Sequence, residues 1–260
     1  MVSDVSEDLW TEIAELCAGA RRLLFITGAG ISADSGLPTY RGIGGLYDSK
    51  LTDEGIAIEE ALSGQMLALR PEITWKYIAQ IEANCRGVRP NAAHEAIAWL
   101  EARLPEVTVL TQNIDGLHRA AGSRDVIEIH GTLHRLSCTD CGRRMEVSDY
   151  AGLGLPPLCA ECGGLLRPDV VLFGEALPQG AIQRLIAVLD QGVDLVFSIG
   201  TTSVFPYIAE PVLYALRCGV PTVEINPGES RVSDHVRYRL RLGAAAAMDE
   251  IRRRLVQLGV

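Results

Sequence analysis

Apolar positions along this chain follow two rhythms. Leu9, Ile13, Leu16 and Cys17 fall on one face of a helix over residues 6–20. Similar spacing predicts helices over 72–82, 91–103, 181–190, 207–216 and 248–258, the second entered through Pro90 and Asn91. Between them lie short apolar runs of strand length: Arg22–Thr27 (RLLFIT), 107–111, 125–129, 168–173, Leu195–Ile199 and Thr222–Ile225. Strands alternating with helices predict parallel βαβ units, hence an α/β chain with a Rossmann-like, doubly wound parallel sheet.

The rhythm fails in two places. Residues 41–64 mix glycines, acids and short apolar pairs, which reads as a long loop with helical pieces, and loops of that length are usually functional. Residues 132–166 are rich in cysteine and glycine instead of periodic apolar positions. The predicted organisation is one Rossmann-like domain over 1–131 and 167–260, with a lid and helical insert at about 41–89 and a metal-binding module at 132–166. Five of the six strand runs end in polar or glycine-rich residues: GAGIS after 22–27, QNID after 107–111, HG after 125–129, GTTS after 195–199 and NPG after 222–225. In open α/β sheets ligands bind beyond the carboxyl ends of the strands, so five such loops describe one large site.

The 260 residues allow one large domain or a domain with a small insert, and 48% hydrophobic residues can build a sizeable core. A net charge of -9 argues against direct nucleic-acid binding. The apolar runs are far too short to span a membrane. The acidic, amphipathic start (MVSDVSEDLWTEIAELC) lacks the basic and apolar regions of a signal peptide, which predicts a cytoplasmic protein.

Cys138, Cys141, Cys159 and Cys162 form C-x2-C-x17-C-x2-C, the spacing of a zinc ribbon. Each pair puts two thiolates on one tight turn, and two turns facing each other complete a tetrahedron. Four cysteines leave no ligand position for water, so a single zinc ion there is structural. Two disulfides or a redox dithiol are the other readings of the pattern. The missing secretory signal and the doubled pairs count against them.

Gly28-Ala29-Gly30-Ile31-Ser32-Ala33 fits G-x-G-x-x-G/A after a strand, a pattern that lets a pyrophosphate approach the backbone. A dehydrogenase would show a second strand ending in an acid about twenty residues later. Here the irregular segment fills that interval, and a plain dehydrogenase is disfavoured.

Taken in order, GAGISADSGLPTYRG (28–42), PNAAH (90–94), TQNIDGLH (111–118), His130–Gly131, both CxxC pairs, RPDVVLFGE (167–175), GTTS (200–203) and INPG (225–228) resemble the sirtuin family across nearly the whole chain. The resemblance implies an NAD-dependent protein-lysine deacylase, a deacetylase in its simplest form. NAD would be the co-substrate, acyl-lysine proteins or peptides the partners, and nicotinamide, free lysine and O-acyl-ADP-ribose the products. It implies three catalytic residues: His130 as the general base for a ribose hydroxyl, with Asn113 and Asp115 positioning the nicotinamide end and the ribose or a water. It also implies NAD contacts from Gly28, Ala29, Gly30 and Ser32, from Tyr40 and Arg41 with the lid, and from Gln112. Gly200, Thr201, Ser203, Asn226 and Ala245 would hold the diphosphate and adenosine end. Val171, Phe173, Gly174 and Glu175 would receive the acyl-lysine peptide, on a strand edge open to an added strand.

Three departures from the family pattern stand out. Relatives that take acidic acyl groups carry a Tyr-x-x-Arg pair on the helix before PNAxH. Ile78 and Ile81 stand there, and Gln80 comes three residues after Tyr77, so acidic acyl groups are disfavoured. Pro206 follows Gly200 by six residues where most relatives have seven, which shortens the loop where cofactor and peptide meet and predicts that Ser203–Phe205 contacts the substrate differently. Tyr40 and Thr39 replace the more frequent Phe and Asp. Transfer of ADP-ribose to a protein is the alternative enzyme reading, and a zinc-bearing NAD sensor the non-enzymatic one. The sequence sets no oligomeric state and allows a monomer.

Overall fold

The computed structural model describes residues 5–39 and 51–260. From the N-terminus, α1 (Glu7–Gly19) leads into β1 (Arg22–Thr27) and the short α2 (Gly30–Ala33). There follow α3 (Ile58–Ala61), α4 (Gly64–Leu69), α5 (Pro71–Cys85) and α6 (Ala92–Glu101), then β2 (Glu106–Thr111), α7 (Leu117–Ala120) and β3 (Val126–Glu128). Next come β4 (Gly131–Cys138), β5 (Arg144–Glu146) and β6 (Leu166–Val170). The chain closes with α8 (Gln179–Gln191), β7 (Leu195–Ile199), α9 (Pro206–Arg217), β8 (Thr222–Ile225), β9 (Tyr238–Leu240) and α10 (Ala244–Gln257).

Among the described residues the strands form two sheets. The larger has six parallel strands in the order β3-β2-β1-β7-β8-β9. Numbered within that sheet the order is 3-2-1-4-5-6, the doubly wound order of dinucleotide-binding folds. Alternation along β1 shows how both faces are filled. Leu23 and Phe25 point toward α1, α6 and α10, while Leu24 and Ile26 point toward α8 and α9. All four are buried, and Phe25 stacks on Phe197 with ring centroids 4.8 Å apart. The helices begin where their caps lie. Ser6 accepts the Leu9 N–H, Asn91 caps α6, and Asp34 reaches across to accept the Ala245 N–H at the start of α10.

The chain reverses direction in the sheet between β1 and β7, so the loops after these strands flank a crevice. Glycine brings them together. A Cβ on Gly30 would stand 2.6 Å from Gly200 Cα, and one on Gly28 would stand 2.8 Å from the Gly200 carbonyl oxygen. The Gly30 N–H donates to that same carbonyl at 2.8 Å.

The smaller sheet is antiparallel, β5-β4-β6, and carries the cysteines. It does not pack alone. Leu133, Leu136, Tyr150, Leu166 and Val170 share one core with Leu62, Ile73, Trp75 and Ile78 from the helical segment. The Trp75 indole donates to the Leu166 carbonyl at 3.0 Å and meets the Tyr150 ring edge-on.

Three expectations change. The run at 168–173 is not a strand of the large sheet. It stops at Val170 and lies at the edge of the small one, where Pro168 can sit without an N–H to donate. β9 has three residues, too few to show periodicity, and went unforeseen. The last helix starts at Ala244, because the four alanines that blur the apolar rhythm are strong helix formers.

Candidate active site

The strand-end loops converge on a cavity of about 610 Å³. Gly28, Ala29 and Gly30 line one wall, and Gln112, Asn113 and His130 the floor. Gly200, Thr201 and Asn226 close one end, and Val171, Phe173, Gly174 and Glu175 stand at the other. Tyr40 and Arg41 lie outside the described residues.

His130 stands just before Gly131, whose φ of +79° and missing Cβ let β4 run against β6. A Cβ there would lie 1.8 Å from the Asp169 carbonyl oxygen. The imidazole is held at both nitrogens. Nδ1 lies 3.0 Å from the Gln112 carbonyl oxygen, and Nε2 lies 2.8 Å from the Tyr207 hydroxyl. A carbonyl can only accept, so Nδ1 carries the proton and Nε2 presents its lone pair to the phenol. Burial holds the His130 pKa below the ordinary imidazole value, against the Gln112 carbonyl, which favours the charged form. The ring is therefore a neutral base at neutral pH.

Asn113, Ser32 and Asp115 form a linked set beside it. Asn113 Nδ2 donates to the Gly28 carbonyl at 3.1 Å and to Ser32 Oγ at 3.2 Å, and Ser32 Oγ donates to Asp115 at 2.8 Å. Asn113 Oδ1 is buried with no partner, an acceptor left for a ligand's N–H. Ser32 and Asp115 line a narrow recess off the main cavity with Leu37, Ile81, Asn84 and Cys85. Burial lifts the Asp115 carboxyl above the usual aspartate value, although Leu117 N–H and Ser32 both donate to it.

Among the described residues, the backbone amides of Gly28, Gly30, Ile31 and Ser32 are already engaged within the fold, which leaves the Ala29 N–H for a diphosphate. At the far end Asn226 Nδ2 donates to the Thr201 carbonyl at 3.0 Å, and Gln112 Nε2 to Thr201 Oγ1 at 2.9 Å. Ser203 is not on the cavity wall. It is buried with φ +52° and an unpartnered hydroxyl, while Thr202 and Val204 on either side face the cavity. Ala245 also lies off the wall, its N–H taken by Asp34, and Gly243 occupies that part of the lining.

The peptide-receiving segment is partly occupied. The Phe173 N–H donates to the Leu62 carbonyl at 3.0 Å, and the Phe173 carbonyl accepts from Gly64 N–H at 3.1 Å. Glu175 braces the turn, pairing with Arg167 at 2.7 Å and accepting the Leu172 N–H at 2.9 Å. An added strand therefore has a short edge to work with, not the whole run. Ile78 and Ile81 both reach the cavity, as their positions in the sequence imply.

The four cysteine sulfurs lie within 4.8 Å of one another. Cys138 Sγ is 3.5 Å from Cys162 Sγ, and Cys141 Sγ is 3.8 Å from Cys159 Sγ. Four soft donors at that spacing suit zinc, and no disulfide joins any described cysteine.

Residues 28–206 match the Sir2 family. The chain belongs to the Sir2 family. It is 50% identical over 242 residues to NAD-dependent protein deacylase 2 of Pseudomonas aeruginosa, covering 92% of this chain and 94% of that one. It is 37% identical to NAD-dependent protein deacylase 1 of Archaeoglobus fulgidus, covering 95% and 96%. Among solved structures, a Sir2 homolog–NAD complex superposes with TM-score 0.85 at 36% identity, over 95% of this chain and 94% of that one. A Sir2–p53 peptide–NAD+ complex gives TM-score 0.79 at 31% identity, over 95% and 97%.

Sequence reasoning missed Tyr207 in this Sir2 site and named Phe205 only within the stretch Ser203–Phe205. Phe205 meets His130 edge-on and stacks on Tyr207 with centroids 5.3 Å apart. The signal available was the six-residue spacing from Gly200 to Pro206, which marked the region without naming the Tyr207 ring.

Proposed function

We propose that this chain is an NAD-dependent protein-lysine deacylase, with apolar acyl groups favoured over acidic ones. The observation that carries the reading is His130: a neutral imidazole with a fixed tautomer, at the cavity floor beside the orphaned Asn113 acceptor. The residues present fit NAD. The Ala29 amide and the Gly28–Gly200 approach suit a diphosphate, Thr201 and Asn226 an adenosine ribose, and the Asn113–Asp115 recess a carboxamide. Bound there, NAD supplies an electrophilic ribose carbon and nicotinamide as leaving group. Asn113 and Ser32 orient the nicotinamide end, and His130 takes a proton from a ribose hydroxyl so that its oxygen can accept the acyl group. Leu62, Ile78, Ile114 and Phe173 exclude water and suit an uncharged acyl-lysine stem.

Zinc held by Cys138, Cys141, Cys159 and Cys162 would be structural, one ion per chain, since four thiolates complete its shell. Among the described residues no helix is long and apolar enough to cross a membrane. The cysteines, all unpaired, suit a reducing compartment such as the cytoplasm.

The test is incubation of the protein with NAD and a panel of acetyl-, succinyl- and myristoyl-lysine peptides, following deacylated peptide by mass spectrometry. Turnover of acetyl or myristoyl peptide with little of the succinyl form supports the reading. No turnover of any peptide, together with ADP-ribose appearing on an acceptor protein, would favour the transferase alternative instead.

A further inference from the structure

The lone pair that His130 needs as a base is already covered. Its Nδ1–H is fixed on the Gln112 carbonyl, so Nε2 can only accept, and the group donating to it is the Tyr207 hydroxyl at 2.8 Å. Tyr207 sits in the first turn of α9, which starts at Pro206, and its oxygen faces the same cavity as His130. A ribose hydroxyl approaching Nε2 would meet the phenol first.

The phenol is not easily moved aside. Its ring lies parallel to Phe205, with 11° between their planes, and Phe205 in turn abuts His130. The loop behind them is tied at several points. Thr201 Oγ1 accepts from Ser203 N–H at 3.1 Å, and the Thr202 carbonyl accepts from Arg231 N–H at 3.1 Å. Ser203 is held at φ +52°, in the left-handed region that non-glycine residues rarely adopt and that persists only where the surroundings impose it. In this loop Pro206 follows Gly200 by six residues.

Resting on the deacylase reading, we propose that Tyr207 is a proton carrier between the ribose hydroxyl and His130. The ribose O–H bond breaks as its proton forms a new O–H bond on the Tyr207 oxygen. In the same step the proton already on Tyr207 passes to His130 Nε2. The phenol gains one proton and loses one, and the imidazole ends as imidazolium. Burial keeps the phenol protonated, its pKa pushed up to about 12, so it stays a neutral donor across the working range. The groups facing the imidazole are the Gln112 carbonyl, the Tyr207 hydroxyl and the Phe205 ring, none of them charged at neutral pH.

Tyr207→Phe keeps the ring and its stack and removes only the hydroxyl. With NAD and an acetyl-lysine peptide, kcat for deacylated peptide should fall by about 100-fold, the lower end of what a positioned acid–base group contributes. KM for both substrates and the exchange of labelled nicotinamide into NAD should change little. In protein without cofactor, the His130 Nε2 resonance in ¹⁵N NMR should shift, because its hydrogen-bond donor is gone. A variant that turns over at the wild-type rate or faster would overturn the proposal, since a phenol that merely covers the lone pair would slow the enzyme. An unshifted Nε2 resonance would overturn it equally. A wild-type protein without deacylase activity would instead refute the functional reading beneath it.

Discussion

Two buried histidines behind the site make the fold sensitive to mild acid. His94 Nδ1 accepts the Asn91 N–H at 3.3 Å, and its ring lies 4.9 Å from that of His118. His118 Nε2 is 2.9 Å from Thr27 Oγ1, which donates to Thr111 Oγ1, and Thr111 Oγ1 also accepts the Asn113 N–H. Burial drives the His94 pKa down to about 4 and that of His118 well below the ordinary imidazole value. Both are therefore neutral in the folded protein at pH 7. In the unfolded chain each takes up a proton as pH falls through about 6.5, while the folded protein does not until much lower. Their stabilising contribution is thus complete above that value and is lost as pH falls toward 4. Between pH 7 and 5 His94 forfeits roughly 2 kcal/mol, and His118 adds a loss of the same sign. Urea unfolding of the zinc-loaded protein at both pH values, with wild type beside a His94→Gln/His118→Gln variant, measures this. His130 adds to the loss in both chains, Asp115 opposes it in both, and weakening of zinc binding is common to both. The wild-type drop should exceed that of the variant by at least about 2 kcal/mol, and equal drops would show that the buried histidines are not the source of the acid sensitivity.

Two further outcomes follow from the packing. Gly30→Ala would push its Cβ to 2.6 Å from Gly200 Cα, so the two loops must part. Such overpacking should destabilise the fold by about 1–3 kcal/mol and weaken NAD binding in calorimetry; unchanged NAD affinity would contradict the glycine argument. Removing zinc with a chelator should abolish deacylation and free β5 and the exposed Cys141 and Cys162 turns. The Trp75–Tyr150 core beneath should persist, so far-UV circular dichroism should change little. Full activity in zinc-free protein would show that the module has no part in shaping the cleft.

The large sheet was legible because its strands are apolar on both faces and each ends in a loop of polar or glycine residues. Leu24 and Ile26 are as buried as Leu23 and Phe25, and that is what a parallel sheet covered on two sides requires. Gly28, Gln112, Asn113, His130 and Thr201 could be placed on one edge for the same reason. What stayed hidden depends on contacts between distant segments. Nothing local says that Trp75 packs under the cysteine module, or that Leu62 and Gly64 occupy the backbone of Phe173. The role of Gly30 was read from a motif as room for a ligand, whereas its missing Cβ first makes room for Gly200. Tyr207 follows a proline at a helix start and looks like any helix residue until the loop after Gly200 folds it onto His130.

Transfer of the acyl group from lysine to NAD, with His130 as the base, is open to test by product stoichiometry. The protein is incubated with NAD and an acetyl-lysine peptide in ¹⁸O-labelled water, and nicotinamide, deacetylated peptide and O-acetyl-ADP-ribose are quantified together by mass spectrometry. All three should appear in equal amounts from the wild type, and neither deacetylated peptide nor O-acetyl-ADP-ribose from His130→Ala of unchanged zinc content. Free acetate released without consumption of NAD, or a His130→Ala protein that still forms O-acetyl-ADP-ribose at the wild-type rate, would contradict that transfer.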